Sequence, residues 1–372
     1  MEFTIDFAQE INEFLAAERA TGKKIIGIIG HDIIPEEIIR AAGAVPLRLI
    51  FAGTEPLTNE GGNYLSSTTC VFSRAVIGMF SRRAEEPLWQ FLRNLDALIV
   101  SNYCNGDNAC ELVKHYFNVP LFRVYIPYKR TDPALTQYRS EITRLRDAIG
   151  QFGGREITDD ALWDAIASTN EIKFKLMQLS KMPLLGSKKQ EIFYRAMLFG
   201  SNYLPELDKI LSQTDLFGPA LKGKKLLLAG AAPFIGDPLI EMFEGAGAVV
   251  AENLTWTGTN YAMQFANTSV RGQASAIDEL VQVFKKNESS EHYVPYSYEK
   301  VAERIYKFCA DEGIGGVIYH ILKFCELTGT LKDKIRDILT EKGLKVLQIE
   351  RDYSASATGQ LSTRIEAFLE ML

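Results

Sequence analysis

The 372 residues include only five cysteines, and no two of them form a Cys-x-x-Cys pair. That absence excludes a thioredoxin-like redox motif. It also excludes the paired knuckles of a structural zinc site, since Cys104 and Cys110 are separated by five residues and no second pair completes four ligands. Long hydrophobic runs are missing too. Lys225-Leu226-Leu227-Leu228-Ala229-Gly230 is far shorter than the roughly 20 apolar residues that cross a bilayer. Met1 to Phe7 carries early acids and no basic stretch ahead of an apolar one, so no export signal is expected. There is no run of Lys or Arg, and the net charge is −6, which argues against nucleic acid or a membrane surface as partner while leaving room for a local basic pocket. The nucleotide fingerprints also fail. Gly30-His31-Asp32 follows a strand without the second glycine of a dinucleotide loop, and Gly22-Lys23-Lys24 lies before a strand rather than after one. Few cysteines and no disulfide framework point to a reducing, cytoplasmic compartment.

What is present is the composition of a globular protein, 47% hydrophobic and 24% charged. Its length exceeds the usual limit of one core, so two domains are expected. Short apolar strands alternate with helices. Ile25-Ile26-Gly27-Ile28-Ile29 is followed by a helix opened by Pro35-Glu36-Glu37, where proline and acids suit the first turn, and then by Ala44 to Leu49. Ala97 to Val100, a helix around Cys110 to Phe117, and Val119 to Val124 continue the pattern. The second half repeats it with Lys224 to Gly230, a helix from Asp237-Pro238, Ala248 to Val250, Gly316 to Tyr319 and Val346 to Ile349. Residues 132–221 show helical periodicity and no strand signal. The reading is an α/β fold of two similar doubly wound parallel-sheet units, an internal duplication, over 1–130 and 221–372. A helical segment at 131–220 joins them and leaves a cleft between their strand ends.

Cys70, Cys104 and Cys325 each fall just beyond the end of such a segment, where open α/β folds gather ligands. Three thiolates meeting there could hold an iron–sulfur cube with one iron left open. The competing reading is three inert, buried cysteines. Cys110 and Cys309 read as core. His31, after the first strand, is a candidate acid/base, or a loop residue bonded to backbone; His320 before Cys325 is a candidate support for the site. Ser66 to Thr69 could donate hydrogen bonds to a cluster. Arg48 could meet an anion, although a lone strand-end arginine also serves structure. Glu350, Asp352 and Arg364 are expected to form ion pairs that organise the C-terminal segment.

Several blocks together resemble one family. They are Pro35-Glu36-Glu37-Ile38-Ile39 with Ala41-Ala42-Gly43-Ala44 and Pro46, the Cys70 segment, the Cys104 loop, Ile240-Glu241 through Val250, Lys323-Phe324-Cys325-Glu326, and above all Ile349 to Tyr353 with Gly359-Gln360-Leu361-Ser362-Thr363-Arg364-Ile365-Glu366-Ala367-Phe368. The sequence resembles the component D subunits of 2-hydroxyacyl-CoA dehydratases, relatives of the ATP-dependent benzoyl-CoA reductases. The resemblance implies a [4Fe–4S] cluster held by Cys70, Cys104 and Cys325, with an iron site left open. It also implies an acyl-CoA substrate, a related subunit as partner in a heterodimer or a homodimer, and a separate ATP-hydrolysing iron–sulfur activator that supplies the electron. The implied chemistry is loss of water from a 2-hydroxyacyl thioester: one electron on the thioester carbonyl gives a ketyl radical anion, which expels the neighbouring hydroxide and acidifies the β proton. His31 stands where family members commonly carry a small polar residue or cysteine, so dehydration follows less directly than the cluster. Two alternatives stay open: a reductase-type or electron-relay subunit of the same family, and a metal-free two-lobed ligand-binding protein.

Overall fold

A computed structural model describes residues 1–29, 33–213, 222–287 and 298–372, with the side chains of 355–358 outside that set. Its strands form two four-stranded, all-parallel sheets. The first contains β1 (Ile25–Ile28), β2 (Val45–Arg48), β3 (Ala97–Ser101) and β4 (Leu121–Val124) in the order β2-β1-β3-β4. The second contains β5 (Lys224–Gly230), β6 (Ala248–Asn253), β7 (Gly316–Leu322) and β8 (Lys345–Arg351) in the order β6-β5-β7-β8. The orders are identical when the halves are superposed in sequence. Each reverses direction between its first and third strands, which opens a crevice at their carboxyl ends.

The strand sequences show why these segments pair this way. β1 and β3 are buried along their whole length, as parallel strands covered on both faces must be, and they are built mainly from Ile, Leu, Val and Ala. Pro46 sits in β2, which among the described residues pairs only with β1. The inward-facing donors of that segment are Val45, bonding Lys24, and Leu49, bonding Ile28, so the missing N–H of Pro46 falls on the open edge where it costs nothing.

Four helices follow the first sheet: Asp132–Gly153, Asp159–Ser180, Gly186–Phe199 and Leu204–Ser212. The second of them starts at Thr158, whose hydroxyl accepts the Ala161 N–H. It touches both halves. Lys173 pairs with Glu37 of the first half at 3.3 Å, and the Asn170 amide donates to the Ala266 carbonyl of the second at 2.7 Å.

The halves also join directly. The Ala52 N–H donates to the Ile235 carbonyl, and the Ile235 N–H to the Ile50 carbonyl, at 2.8 and 2.9 Å. Phe51, at the centre of this bridge, is buried against Phe3, Trp89 and Phe91. One apolar cluster accordingly runs from Ile25 and Leu98 through Phe193 to Phe234 and Trp256.

Arg48 is not open to an anion. It is buried at 2% exposure, with its Nε 2.7 Å from the Glu36 carboxylate, and Tyr261 of the second half donates its hydroxyl to the same carboxylate. Burial would raise the Glu36 carboxyl, but Arg48, aided by Arg40 and Lys173, pulls it down to about 2. Removing Arg48 takes the nearest ion partner from a buried carboxylate and leaves it Arg40 at 3.2 Å and the Tyr261 hydroxyl. Arg48→Met should therefore lower stability by about 3–5 kcal/mol in urea unfolding, whereas Glu36→Leu combined with Arg48→Met should recover most of that loss. Equal losses in the single and double variants would contradict a buried pair.

Candidate functional site

The carboxyl ends of corresponding strands position two of the cysteines, and a helix start in the first half adds the third, Cys70. Ser101 ends β3 and Cys104 lies three positions on; Leu322 ends β7 and Cys325 lies three positions on. Each of the three cysteines is the residue that opens a helix: Cys70 before Val71–Arg82, Cys104 before Asn105–Ala109, Cys325 before Glu326–Gly329. All three line one pocket of about 50 Å³ with Phe72, Phe234, Trp256 and Thr328. Gly106 sits among them, and a Cβ there would stand 3.3 Å from the Cys104 sulfur and 3.6 Å from the Cys70 Cβ.

The loops are tied to one another across the two halves. The Val71 N–H donates to the Lys323 carbonyl at 3.3 Å. The backbone and side-chain amides of Asn105 donate to the Glu326 carboxylate at 3.1 and 2.6 Å. Asp107 is held by the Ser101 hydroxyl at 2.8 Å, and its own N–H donates to the Cys104 sulfur at 3.2 Å.

Helix N-termini favour thiolates, but each supplies only about 0.3–1 kcal/mol at an exposed site. Burial opposes them and wins. A hydrogen bond shared with Cys325, then burial, hold the Cys70 thiol well above its ordinary value. Burial, then the Asp107 carboxylate, do the same for Cys104. Both thiols are therefore neutral near pH 7. No cysteine forms a disulfide. Among the described residues no group of three or more His, Cys, Asp or Glu side chains is disposed as a metal-ion site.

The other candidates fall elsewhere. His31 lies outside the described residues. His320 is fully buried in β7, and its Nδ1–H donates to the Ala231 carbonyl at 2.7 Å, so it braces the Ala231-Ala232 wall of the pocket from behind. Ser66 and Thr68 bond each other at 3.0 Å in an exposed turn and do not line the pocket. Cys110 caps the end of the short helix Asn105–Ala109 rather than entering the next one. Cys110 and Cys309 are buried, and burial pushes Cys309 up to about 12. Glu350, Asp352 and Arg364 do not pair with one another: Glu350 meets Lys332, Asp352 meets Lys323 and Ser354, and Arg364 donates to the Gln348 carbonyl. Sequence reading missed Asp107, Thr328 and Trp256. Only Asp107 carried a signal, a carboxylate three residues after a cysteine at a helix start.

With this geometry in hand, comparison with known proteins gives the family. Residues 33–372 match the family described as 2-hydroxyglutaryl-CoA dehydratase, D-component, and the chain belongs to it. It is similar to the beta subunit of (R)-2-hydroxyglutaryl-CoA dehydratase of Acidaminococcus fermentans, 24% identical over 96% of this chain and 95% of that one. It is likewise similar to the beta subunit of (R)-phenyllactyl-CoA dehydratase of Clostridium sporogenes, 23% identical over 95% and 92%. A benzoyl-CoA reductase subunit of Thauera aromatica is 30% identical over a shorter stretch, 39% of this chain and 36% of that one. The chain is thus a dehydratase-type subunit. Among the described residues no helix is long and apolar enough to cross a membrane.

Two expectations follow from the buried groups. Neutral thiols are poor nucleophiles, so in metal-free protein at pH 8 iodoacetamide should label Cys70 and Cys104 at least about tenfold more slowly than free cysteine; labelling at the free rate would contradict it. Burial, with Arg351 adding, lowers His320 from 6.5 to about 3. The unfolded chain then takes up a proton below 6.5 that the folded chain refuses. This contribution to stability is whole above pH 6.5 and should drain away as the pH falls toward 3, by up to about 1.4 kcal/mol per pH unit. Denaturant titrations at stepped pH should show a shallower slope for His320→Gln.

Proposed function

We propose that the chain holds a [4Fe–4S] cluster on Cys70, Cys104 and Cys325 and serves as the cluster-bearing subunit of a 2-hydroxyacyl-CoA dehydratase. The observation that carries this reading is that three cysteines, two from the first half and one from the second, line one pocket, Cys104 and Cys325 just past strand ends and Cys70 at the start of the helix Val71–Arg82. The donor set fits. It is all sulfur, which selects iron–sulfur clusters over hard cations, and the carboxylates beside it are engaged, Asp107 by Ser101 and Glu326 by Asn105. Gly106 lets two of the sulfur-bearing loops approach closely, since a Cβ there would stand 2.8 Å from the Ser73 Oγ and 3.3 Å from the Cys104 sulfur. When bound, such a cluster supplies one low-potential electron and, with three protein thiolates, one iron position not taken by the chain.

The chain's own residues prepare that position. The Asp107 N–H would bond the Cys104 thiolate and withdraw charge from it, which raises the potential of an attached cluster. The three helix N-termini stabilise the thiolates once their protons leave. Phe72, stacked on Phe234 at 4.5 Å, and Trp256 wall water from the pocket. Because the Cys70 and Cys104 thiols are neutral beforehand, loading must release protons, and affinity rises with pH.

The relatives named as beta subunits support a second, related subunit as partner. A separate ATP-hydrolysing activator would deliver the electron, since the sequence contains no nucleotide loop of its own. A reducing cytoplasm suits five unpaired cysteines. The match to a benzoyl-CoA reductase subunit favours a second reading, an electron-relay or reductase-type role for the same cluster.

Iron and acid-labile sulfide in anaerobically prepared protein test the assignment. Cys70→Ala, Cys104→Ala and Cys325→Ala should each lose most of the iron, while Cys110→Ala and Cys309→Ala keep it. Full iron content after removal of any one of the first three would sink the proposal. Perturbation of the reduced protein's EPR spectrum by a 2-hydroxyacyl-CoA separates the dehydratase reading from the relay reading.

A further inference from the structure

A second concave feature of the first sheet lies at the opposite end from the cysteines. It is a cleft of about 350 Å³ between the N-terminal helix Ile5–Ala20, the start of β2 and the helix Asp159–Ser180. Lys23 and Val45, at the amino ends of β1 and β2, line it, so it is separate from the carboxyl-end site.

Its charges do not cancel. Lys23 is paired with Glu18 at 2.6 Å, and Asp164 with Arg271 at 2.7 Å. Arg40 reaches Glu36 only at 3.2 Å, and that carboxylate already serves Arg48 at 2.7 Å, so two guanidiniums share one negative charge. Arg155 is exposed and has no ion-pair partner among the described residues. Arg271 is in turn shared by Asp160 and Asp164, so the groups lining the cleft, Lys23, Arg40 and Arg155 against Glu18 and Asp164, carry one surplus positive charge.

Both heads are seated on bare backbone. Gly43 and Gly200 adopt positive φ, +72° and +55°. A Cβ at Gly43 would stand 3.0 Å from the Arg155 Nη1, and one at Gly200 would overlap the Arg40 guanidinium. The Arg155 backbone is itself fixed by its N–H donating to the Gly150 carbonyl at 3.0 Å. Apolar side chains, Phe14, Pro46 and Leu198, form the rest of the wall.

We propose that this cleft binds a small organic oxyanion, its phosphate or carboxylate head between Arg40 and Arg155 and its apolar body against Phe14, Pro46 and Leu198. A guanidinium matches either head through paired N–H donors, and the volume lies within the range of small-molecule sites. The reading is independent of any cluster.

Phenyl phosphate and benzoate, which share a ring and differ in the anionic head, are the probes. Isothermal titration of the metal-free protein at low salt should show binding of at least one, and the stronger of the two identifies the head group. Arg155→Ala, a change at an exposed side chain, should weaken that binding at least fivefold, the loss of one charge-assisted contact. Cys70→Ala should bind as the unaltered protein does, so a failed cluster assignment leaves this result intact. No heat or chemical-shift change with 10 mM (about ten times a ~1 mM dissociation constant) of either probe would overturn the proposal, as would equal affinity in Arg155→Ala.

Discussion

Two peptide hydrogen bonds, between Ala52 and Ile235 and between Ile235 and Ile50, fix how the two sheets face each other. Everything at the cysteine pocket depends on that join. Cys104 and Cys325 are equivalent residues of two repeated units, and either unit alone would present its thiol to open water. The bridge sets the crevices of both sheets against one another, and the buried ring of Phe51 seals it. The Val71–Lys323 and Asn105–Glu326 bonds then act over a gap already closed. Such links gain little alone, since each must offset the entropy of ordering its loop.

The electrostatics of the pocket is a contest between backbone dipoles and desolvation. Three helix starts pull toward thiolate, and burial with mutual repulsion pushes toward thiol. Desolvation of an anion is worth several kcal/mol and a helix terminus about one, so the thiols keep their protons. A bound cation reverses the balance, because its charge replaces the lost hydration and the dipoles then act with it rather than against burial. The same arrangement keeps the thiols unreactive without a cofactor and suits them to one.

Much of this was legible in the sequence because it is local or repeated. The two sheets follow from short apolar strands alternating with helices, and the equal three-residue offsets of Cys104 and Cys325 follow from the duplication. What was less legible was local polar chemistry with two solutions. Asn105-Gly106-Asp107-Asn108 suits either a turn or a helix start, and it forms a short helix whose first turn is capped by the Cys104 sulfur accepting the Asp107 N–H in place of a hydroxyl. Glu350, Asp352 and Arg364 sit close in sequence, but β8 and the following helix point them at different neighbours. The Glu36–Arg48–Tyr261 contact was illegible for another reason: Tyr261 lies more than 200 residues from the other two, and no periodicity encodes a partner at that separation.

Phe324 shows where the pocket's demands exceed those of the fold. It is one of two non-glycine residues with positive φ among those described, at +64°, and its large apolar side chain is 43% exposed. The left-handed backbone costs about 1–2 kcal/mol for such a residue, and the exposed ring forgoes burial besides. Neither loss serves the sheet, since β7 has already ended at Leu322. The strained step is held on both sides, by the Cys325 N–H on the Leu322 carbonyl at 2.8 Å and by the Val71 N–H on the Lys323 carbonyl. Its effect is to turn the chain sharply just before Cys325, so that this sulfur meets Cys70 instead of following the strand outward. Strain that the fold does not need, placed one residue before a thiol and tied to the loop that carries another, is the pattern of a backbone shaped by its site.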